Sequence, residues 1–544
     1  MTFSAKWSQP ANSALRLELA FEKSLVISGN VKSGPQILFQ TSQQVFVMGA
    51  IVGVLSKRDD DTIPLVITML QELTHRGTEC HEIVTPTAAV SAQSILELRK
   101  QRSVSSKVSI GQNLSSPKKP ESLALRDINI VLEGRIFCES TILGLPRITT
   151  DRENSPEKIG KRILRDFDGS YAFASALDTL MLIGRDPLGT MPLYYGEDES
   201  VCVFASERKA LWKIGIRDAR SFPPGNLALV NHHGFSFKPI WTFSPHPHTG
   251  IETLNAAMHL QKLLEESTRE RLRDADNAGI AFSGGLDSSI IARIVRESET
   301  SAQLISVCLK GQPAELHADI AARALQMPVT IRTYDVADVA NALAKVLWLI
   351  EEPDAMKASV AIPLFWSAQF ASKLGCNVLL AGQGADELFG GYSRYLTTYK
   401  TGGPGKVAES LLHDTLKSYQ TNFQRDEPLC TYHRIELRLP FVDTSVVRFA
   451  LDLPIHLKIQ SADDLLRKRI LRQLAKAMGI PAFIAEKPKK AIQYDTGVDK
   501  ALRHLARTKD LTLHDYIRQV FNTVYPTSEG GRREHSDLLQ PHLS

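Results

Sequence analysis

The sequence predicts two successive domains: an α+β domain of stacked antiparallel sheets, then an α/β domain with a doubly wound parallel sheet. Three observations predict this order. Residues 180–183 and 201–204 are short apolar strands of the kind found in antiparallel sheets. Strand-like and helix-like segments alternate between residues 303 and 373, as in parallel sheets. A proline-containing junction, residues 244–250, separates the two patterns.

The domain boundaries follow from these patterns. Residues 48–243 are assigned to the first domain and residues 250–510 to the second. A chain of 544 residues is long enough for each domain to bury its own hydrophobic core. Residues 1–47 are interpreted as an N-terminal extension and residues 511–544 as a polar C-terminal tail. The Gly-Gly-Pro-Gly run at residues 402–405 predicts a loop.

The composition favours a cytoplasmic enzyme that acts on small molecules. With 64 basic and 60 acidic residues the net charge is only +4, which does not predict binding to nucleic acid. No run of about eighteen apolar residues predicts a membrane span. The six cysteines show no metal-binding spacing, so free thiols in a reducing compartment are expected.

In the second half, the alternating elements predict a sheet that helices cover on both faces. The predicted strands are residues 303–309 and 329–336, and the predicted helices are residues 316–326, 339–350 and 362–373.

A glycine-bent loop, residues 283–289, joins an apolar strand to a helix and predicts an anion site. Backbone N–H groups of such a loop and the positive end of the helix dipole favour a phosphate group. Asp287 would repel that phosphate unless a cation such as Mg²⁺ lies between them. The alternative is a turn that simply caps the helix. The residues assigned to this ATP and pyrophosphate site are Ser283, Gly284, Gly285, Asp287, Ser288 and Ser289.

A second acidic loop, residues 381–392, follows the strand-like residues 377–380. Ligands of open parallel sheets bind at the carboxyl ends of the strands. We therefore expect Asp386 to join Asp287 in holding Mg²⁺ against the triphosphate of ATP, with Gly382 and Gly384 close to the nucleotide.

These loops resemble those of a known enzyme family. Residues 283–289, SGGLDSS, are similar to the SGGxDS loop of the ATP pyrophosphatases, and residues 382–392, GQGADELFGGY, resemble the synthetase domain of the asparagine synthetases. Residues 425–427 and 436–443, and Lys468 with Arg472, resemble later segments of that family. The resemblance implies an ATP pyrophosphatase fold, ATP contact at Val307, and pyrophosphate contact at Lys489.

The first half resembles the glutaminase domains that use an N-terminal cysteine, which implies an Ntn-type fold of four layers. Residues 48–54, MGAIVGV, are similar to their MCGIVGV opening, but Gly49 stands where the nucleophilic cysteine belongs. Glu133 replaces an asparagine of the oxyanion hole, where its charge would repel the oxyanion. We therefore expect the loss of glutamine hydrolysis, with Arg76 and Asp151, which resemble the glutamine-holding residues, as remnants.

The resemblance implies that aspartate is activated as an acyl-adenylate and then attacked by ammonia. The best-known asparagine synthetases have Glu between the two glycines of the second loop, whereas this chain has Gln383, whose amide cannot accept a proton at neutral pH. Either Glu351 or Asp354 then serves as the base, or ammonia enters already neutral. For both carboxylates the alternative is a helix cap and a turn before Pro353.

Other functions stay open at this point. The same adenylation could form a different amide, as in cyclising relatives, or the chain could be a non-catalytic paralogue. An external protein as the source of ammonia and a homodimer are both compatible with the sequence, while nucleic acid and membrane are not expected as partners.

Overall fold

The first half of the described chain contains two antiparallel sheets. The computed structural model describes residues 45–100, 105–115, 123–125, 128–137, 155–246, 250–298, 300–488 and 491–526, all within the unit Gln44–Ser544. The elements of the first half are β1 (Val45–Val47), β2 (Gly49–Ser56), α1 (Ile63–Glu72), β3 (Cys80–Val84), β4 (Ala89–Ala92), α2 (Ile95–Lys100), β5 (Val108–Leu114), β6 (Leu123–Leu125), β7 (Ile128–Phe137), α3 (Pro156–Asp166), β8 (Asp168–Leu177), β9 (Leu180–Arg185), β10 (Tyr194–Glu197), β11 (Val201–Ala205), α4 (Arg208–Lys213), β12 (Arg220–Ser221), β13 (Asn226–Asn231) and β14 (Gly234–Pro239).

One sheet has the order β1-β7-β8-β9-β13-β14, with β6 also paired to β7, and the other has the order β12-β10-β11-β2-β5-β3-β4. The alternation of side chains along β2 shows how the layers stack. Ile51 and Leu55 pack against the facing sheet, whereas Val52 and Val54 pack beneath α1 and α4. Helix α3 covers the outer face of the first sheet. The predicted four-layer α+β architecture is therefore confirmed.

Strand β1 belongs to this fold although its residues were assigned to the extension. Val45 pairs with Ile136 and Val47 with Gly134 in an antiparallel ladder. The chain immediately before Gly49 is therefore part of a sheet.

The second half contains a five-stranded parallel sheet in the order β17-β16-β15-β18-β19. Helices α6 and α7 pack on one face of the sheet, and α8 and α9 pack on the other, which confirms the doubly wound fold. The elements are α5 (Thr253–Leu272), β15 (Asn277–Ala281), α6 (Leu286–Val295), β16 (Ser301–Leu309), α7 (Pro313–Ala324), β17 (Val329–Tyr334), α8 (Val336–Ile350), α9 (Ala355–Lys373), β18 (Val378–Leu380), α10 (Ala385–Phe389), α11 (Arg394–Ser418), α12 (Gln424–Tyr432), β19 (Glu436–Arg438), α13 (Thr444–Asp452), α14 (Arg469–Ala477), α15 (Ala482–Ala485), α16 (Ile492–Asp495), α17 (Val498–Arg507) and α18 (Leu513–Val524).

The strand order reverses at β15. From β15 the chain proceeds outward to β16 and β17, then returns to add β18 on the other side of β15. Ala278 pairs with Val378 and Ile280 with Leu380, so the carboxyl ends of β15 and β18 are neighbours. Such a reversal point is where ligands bind in open α/β sheets.

Two segments contain more helix than expected. At residues 402–405, where a loop was expected, Gly403 takes φ +69° and forms a kink between two helical stretches of α11. The expected tail contains α18, whose Tyr516 and Ile517 are buried against the helical layer that includes α8. The spacing of apolar residues along α18 explains this helix, because they recur on one face.

The cysteine expectation is confirmed for the five described cysteines, which are all free thiols: Cys80, Cys202, Cys308, Cys376 and Cys430. Cys138 lies outside the described residues. Within the described ranges, no helix has both the length and the hydropathy needed to cross a bilayer.

Candidate active site

The two predicted nucleotide loops lie side by side at the reversal point of the parallel sheet. A side-chain carbon built at Gly382 would lie 3.1 Å from Cβ of Asp287, so the loops are in van der Waals contact. The structure therefore brings Asp287, Gly382 and their neighbours together at one edge of the sheet, in the arrangement that parallel strand pairing predicts.

The first loop ends at the amino terminus of α6, with Gly285 as the residue before the helix. Gly284 takes φ +66°, and a side chain there would meet the carbonyl oxygen of His317 at 2.9 Å, so this turn requires glycine. Among the described residues, the buried Ser289 Oγ has no hydrogen-bond partner. The first turn of α6 thus presents an unpaired hydroxyl at the end of a helix that favours anions.

Ser283 and Ser288 shape the same loop. The Gly285 N–H donates to Ser283 Oγ at 3.3 Å, and Ser288 Oγ donates to the Gly285 carbonyl at 3.3 Å. Both hydroxyls therefore stabilise the bend of the loop, and Ser283 is exposed.

One lysine joins the two predicted metal ligands. Lys468 Nζ lies 2.8 and 2.7 Å from the two oxygens of Asp287 and 2.6 Å from Asp386 Oδ1. Lys468 is 2 % exposed and takes left-handed backbone angles, φ 48° and ψ 39°. Gly391 leaves room for this contact, because a side chain there would meet Asp386 Oδ1 at 1.8 Å. Strained backbone that holds a buried charge is typical of functional sites.

The pair of aspartates fits a metal that arrives with a nucleotide. Two carboxylates converge on one point, and Mg²⁺ is commonly held by one or two carboxylates plus substrate phosphates. No cluster of three or more His, Cys, Asp or Glu side chains suited to a metal occurs in the described part of the chain. The ammonium of Lys468 contacts both carboxylates.

Gln383 is held by a buried carboxylate. Its Nε2 donates to Asp426 Oδ2 at 2.7 Å, and Arg425 donates to both oxygens of Asp426 at 2.7 and 2.9 Å. Asp426 is fully buried. The neutral amide at position 383 therefore complements Asp426, whereas a carboxylate at that position would place two negative charges in contact.

Glu351 lies at the contact between the two halves. It ends α8 with φ +56°, and its carboxylate accepts hydrogen bonds from the backbone N–H groups of Arg208 at 2.8 Å and Lys209 at 2.7 Å. Burial raises the pKa of Glu351 to about 7, against the opposing effect of Lys209. Asp354 caps α9 by accepting from Lys357 N at 2.7 Å. Glu351 is therefore a helix C-terminal cap, as in the alternative, whereas Asp354 caps the start of the next helix after Pro353. A catalytic role for Glu351 stays a prediction.

In the first half, Gly49 has no room for a side chain. A Cβ at this position would lie 1.8 Å from the backbone oxygen of Asn113 in the neighbouring strand. A cysteine therefore could not be placed here without a shift of β2 or β5. Because β1 precedes it directly, Gly49 also carries no free α-amino group in this fold.

Arg76 and Glu133 meet beside Gly49. Arg76 Nη2 donates to Glu133 Oε1 at 2.8 Å, and Arg76 Nε donates to the Gly49 carbonyl at 2.8 Å. Burial raises the pKa of Glu133 to about 7, although Arg76 opposes the rise. Gly49, Arg76 and Glu133 line one cavity at the junction of the halves, so three of the four residues predicted for the degenerate glutaminase site lie together.

Two further carboxylates reach Arg76. Glu207 accepts from Nη1 at 2.9 Å, and Glu427, on α12 of the second half, accepts from both Nη1 and Nη2 at 3.0 and 2.7 Å. Burial alone would lower the pKa of Arg76, but these carboxylates raise it above its ordinary value. Burial would raise the pKa of Glu207, but His75, Lys209 and Arg76 together hold it well below its usual range.

The remaining predicted residues are placed as follows. Val307 is buried in β16, the strand next to β15. Asp151 and Lys489 lie outside the described residues. Sequence reasoning missed the contacts of Asp426 and Glu427, whose only signal was the run Arg425-Asp426-Glu427, and it did not foresee that Lys468 joins both aspartates.

Comparison with known proteins identifies the family. A family model described as asparagine synthase matches residues 259–423 and 397–543, which together span more than half of the chain. The chain belongs to the asparagine synthase family. A glutamine amidotransferase domain model matches residues 154–261. The two models thus match parts of both halves of the chain.

Among curated relatives, a putative glutamine-hydrolysing asparagine synthetase of Methanocaldococcus jannaschii is 30% identical over 391 residues, which are 63% of this chain and 72% of that protein. Asparagine synthetase B of Escherichia coli is 29% identical over 62% of this chain and 63% of its own length. For asparagine synthetase 2 of Oryza sativa the identity is 29%, over 55% of this chain and 51% of the rice protein. The chain therefore spans half to two thirds of the latter two relatives.

Two solved structures show a distant likeness to this chain. A glutamine PRPP amidotransferase from B. subtilis, complexed with ADP and GMP, is 16% identical with a TM-score of 0.30, covering 52% of this chain and 65% of that one. NMN synthetase from Francisella tularensis is 12% identical with a TM-score of 0.26, covering 51% and 93%. Because both scores are low, the fold assignment depends on the strand topology and the family match.

Proposed function

We propose that this family member is an AMP-forming ligase that adenylates the side-chain carboxylate of aspartate and transfers ammonia to it, without hydrolysing glutamine. The observation that carries the proposal is the convergence of Asp287 and Asp386 on Lys468 at the reversal point of the parallel sheet. The accompanying loss of glutaminase chemistry is supported by the backbone contact that leaves no space for a thiol at Gly49.

ATP would lie across the two loops. The bend formed by Ser283, Gly284 and Gly285, with Ser288 and Ser289 on α6, offers donors to the β and γ phosphates. Asp287 and Asp386 would hold Mg²⁺, which when bound supplies positive charge to the triphosphate and orients it for in-line displacement. Lys468 has to leave the space between the aspartates for this to happen, and its ammonium is then available to the departing pyrophosphate, a role proposed also for Lys489.

The chemistry has two steps. A carboxylate oxygen of aspartate attacks the α-phosphorus, the bond to the β-phosphate oxygen breaks, and pyrophosphate leaves. The nitrogen of ammonia then attacks the acyl carbon, AMP leaves, and one proton has to be removed from nitrogen. Glu351, with a pKa of about 7, is the candidate acceptor, and Gln383 is placed to orient a nucleophile but not to deprotonate it.

The test is product formation by the purified full chain with ATP and Mg²⁺. Asparagine, AMP and pyrophosphate are expected with aspartate plus ammonium, and none of these above background with aspartate plus glutamine. Asp287→Asn and Asp386→Asn should abolish AMP formation. Asparagine formed equally well from glutamine would overturn the ammonia requirement.

Other outcomes would identify the alternatives. Pyrophosphate release from a different acid, with no amine added, would indicate a cyclising ligase. No release with a panel of carboxylic acids would indicate a non-catalytic paralogue. The cytoplasmic location, the homodimer and the external ammonia source stay predictions.

A further inference from the structure

The contact between Arg76 and Glu427 has the geometry of ligand recognition. The guanidinium offers two parallel N–H groups to the two oxygens of one carboxylate, at 3.0 and 2.7 Å. This bidentate arrangement is the one by which arginine selects a carboxylate over other acceptors. Here the carboxylate comes from α12 of the second half, 351 positions away in the sequence.

Both side chains are withdrawn from solvent. The Arg76 side chain is 1% exposed and that of Glu427 is 11% exposed, and both line the cavity that also contains Gly49 and Glu133. Thr431 Oγ1, one turn further along α12, donates to Glu427 Oε1 and fixes its position. The Glu427 carboxylate therefore fills a polar pocket that is already enclosed on its other sides.

The Glu427 carboxylate is one of several that neutralise the buried cations around the pocket. Glu207 contacts Arg76 and Lys209, at 2.9 and 2.6 Å, and Glu351 lies 3.8 Å from Lys209. Arg135, which also lines the cavity, is paired with Glu436. His75 also contacts Glu207, and burial lowers the pKa of His75. Burial likewise raises the pKa of Glu133 to about 7, so Glu133 supplies only part of a negative charge.

Without Glu427, Arg76 would keep Glu207 and Glu133 as carboxylate partners. Two of its guanidinium N–H groups would lose the acceptor that they now share, and a buried cation in that state favours an anion that fits.

We infer that the Arg76 pocket is a carboxylate-binding site that the chain fills with its own Glu427, and that removal of this side chain opens the site to a small free monocarboxylate. The inference concerns binding alone, so it does not require that the chain is a ligase. It also extends the case against glutaminase activity, since an external carboxylate would have to displace an internal one.

The experiment compares thermal unfolding of the full chain in sodium acetate and in sodium chloride at equal ionic strength. In Glu427→Ala, acetate should raise the Tm saturably, by about 1 °C or more at tens of millimolar. The wild type should show no difference between the two salts. Acetamide, which has the shape of acetate without its charge, should leave the Tm of Glu427→Ala unchanged.

Two matched variants separate the site from general salt effects. Glu427→Gln keeps the bulk in place and should not respond to acetate. The double variant Arg76→Met with Glu427→Met removes both partners and should not respond either. An equal acetate shift in the double variant, or no shift in Glu427→Ala, would overturn the inference.

If Glu427→Ala does not fold in chloride, its refolding yield provides the same information. A higher yield in acetate than in chloride supports the inference, and equal yields contradict it. Because neither readout uses ATP or aspartate, failure here leaves the proposed ligase reaction unaffected, and failure of the ligase assay leaves this inference unaffected.

Discussion

Replacing Gln383 by Glu would make this loop resemble that of the best-known asparagine synthetases, yet the structure predicts a loss of stability. Gln383 Nε2 donates to Asp426 Oδ2 at 2.7 Å, and Asp426 is fully buried. A carboxylate in the same place would put two negative charges in contact, so one of them has to retain a proton. The amide therefore stabilises a site that a second carboxylate would disrupt.

The size of the effect follows from the proton that has to be retained. Keeping a carboxyl of ordinary pKa about 4.3 protonated at pH 7 costs about 4 kcal/mol, at 1.36 kcal/mol per pH unit. Arg425 already contacts both oxygens of Asp426 and can share the added charge, so about 4 kcal/mol is an upper bound. The direction of the pH dependence also follows. Because the folded-state pKa of the new carboxyl is raised, the variant keeps its full free energy of unfolding below about pH 4.3 and loses part of it as the pH rises.

The assay is urea unfolding of wild type and Gln383→Glu at pH 5 and pH 8. The variant should lose stability relative to wild type, and the loss should be larger at pH 8. The double variant Gln383→Glu with Asp426→Asn restores one donor and one acceptor, so it should recover most of the lost stability. If Gln383→Glu is as stable as wild type at pH 8, the reasoning about Asp426 is wrong.

Three further predictions concern single positions. Gly49→Cys should lower stability by about 1–3 kcal/mol in urea unfolding, because its Cβ would meet the Asn113 backbone at 1.8 Å, and it should release no glutamate from glutamine. Lys468→Met leaves Asp287 and Asp386 without their shared cation, so it should cost about 3–5 kcal/mol, and Mg²⁺ should raise the Tm of this variant more than that of wild type. Glu133→Gln should reduce the loss of stability between pH 4.5 and 7, since the folded-state pKa of Glu133 is raised to about 7; an unchanged pH profile in urea would contradict this.

The sequence predicted those parts of the site that local patterns determine. The glycines of the first loop and the apolar strands before both loops are encoded within a few residues, and parallel pairing then brings the loops together. The same holds for the absence of a thiol at Gly49. The amphipathic spacing of α18 was also present in the sequence, but the polar character of the surrounding tail concealed it.

The contacts that the sequence did not predict join distant segments. Lys468 reaches Asp287 across 181 positions, and Glu427 reaches Arg76 across 351 positions. A lysine or glutamate is most often a solvated surface charge, so nothing in its neighbours indicates such a partner. Only the packed fold shows that Asp426 holds Gln383, since the two residues are brought together by β18 and α12.

The ion pairs between the two halves, such as the one that Glu427 of α12 makes with Arg76, prevent the chain from being divided without loss. If the gene were cut within residues 247–249, the amino-terminal fragment would hold Arg76 without Glu427 and Arg135 without Glu436, while the carboxyl-terminal fragment would hold Arg271 without Asp168. Each fragment would expose charges that evolved to be neutralised by the other. The two halves are therefore not interchangeable modules. A chimera with the amidotransferase half of a relative would need matching ion-pair residues in both halves.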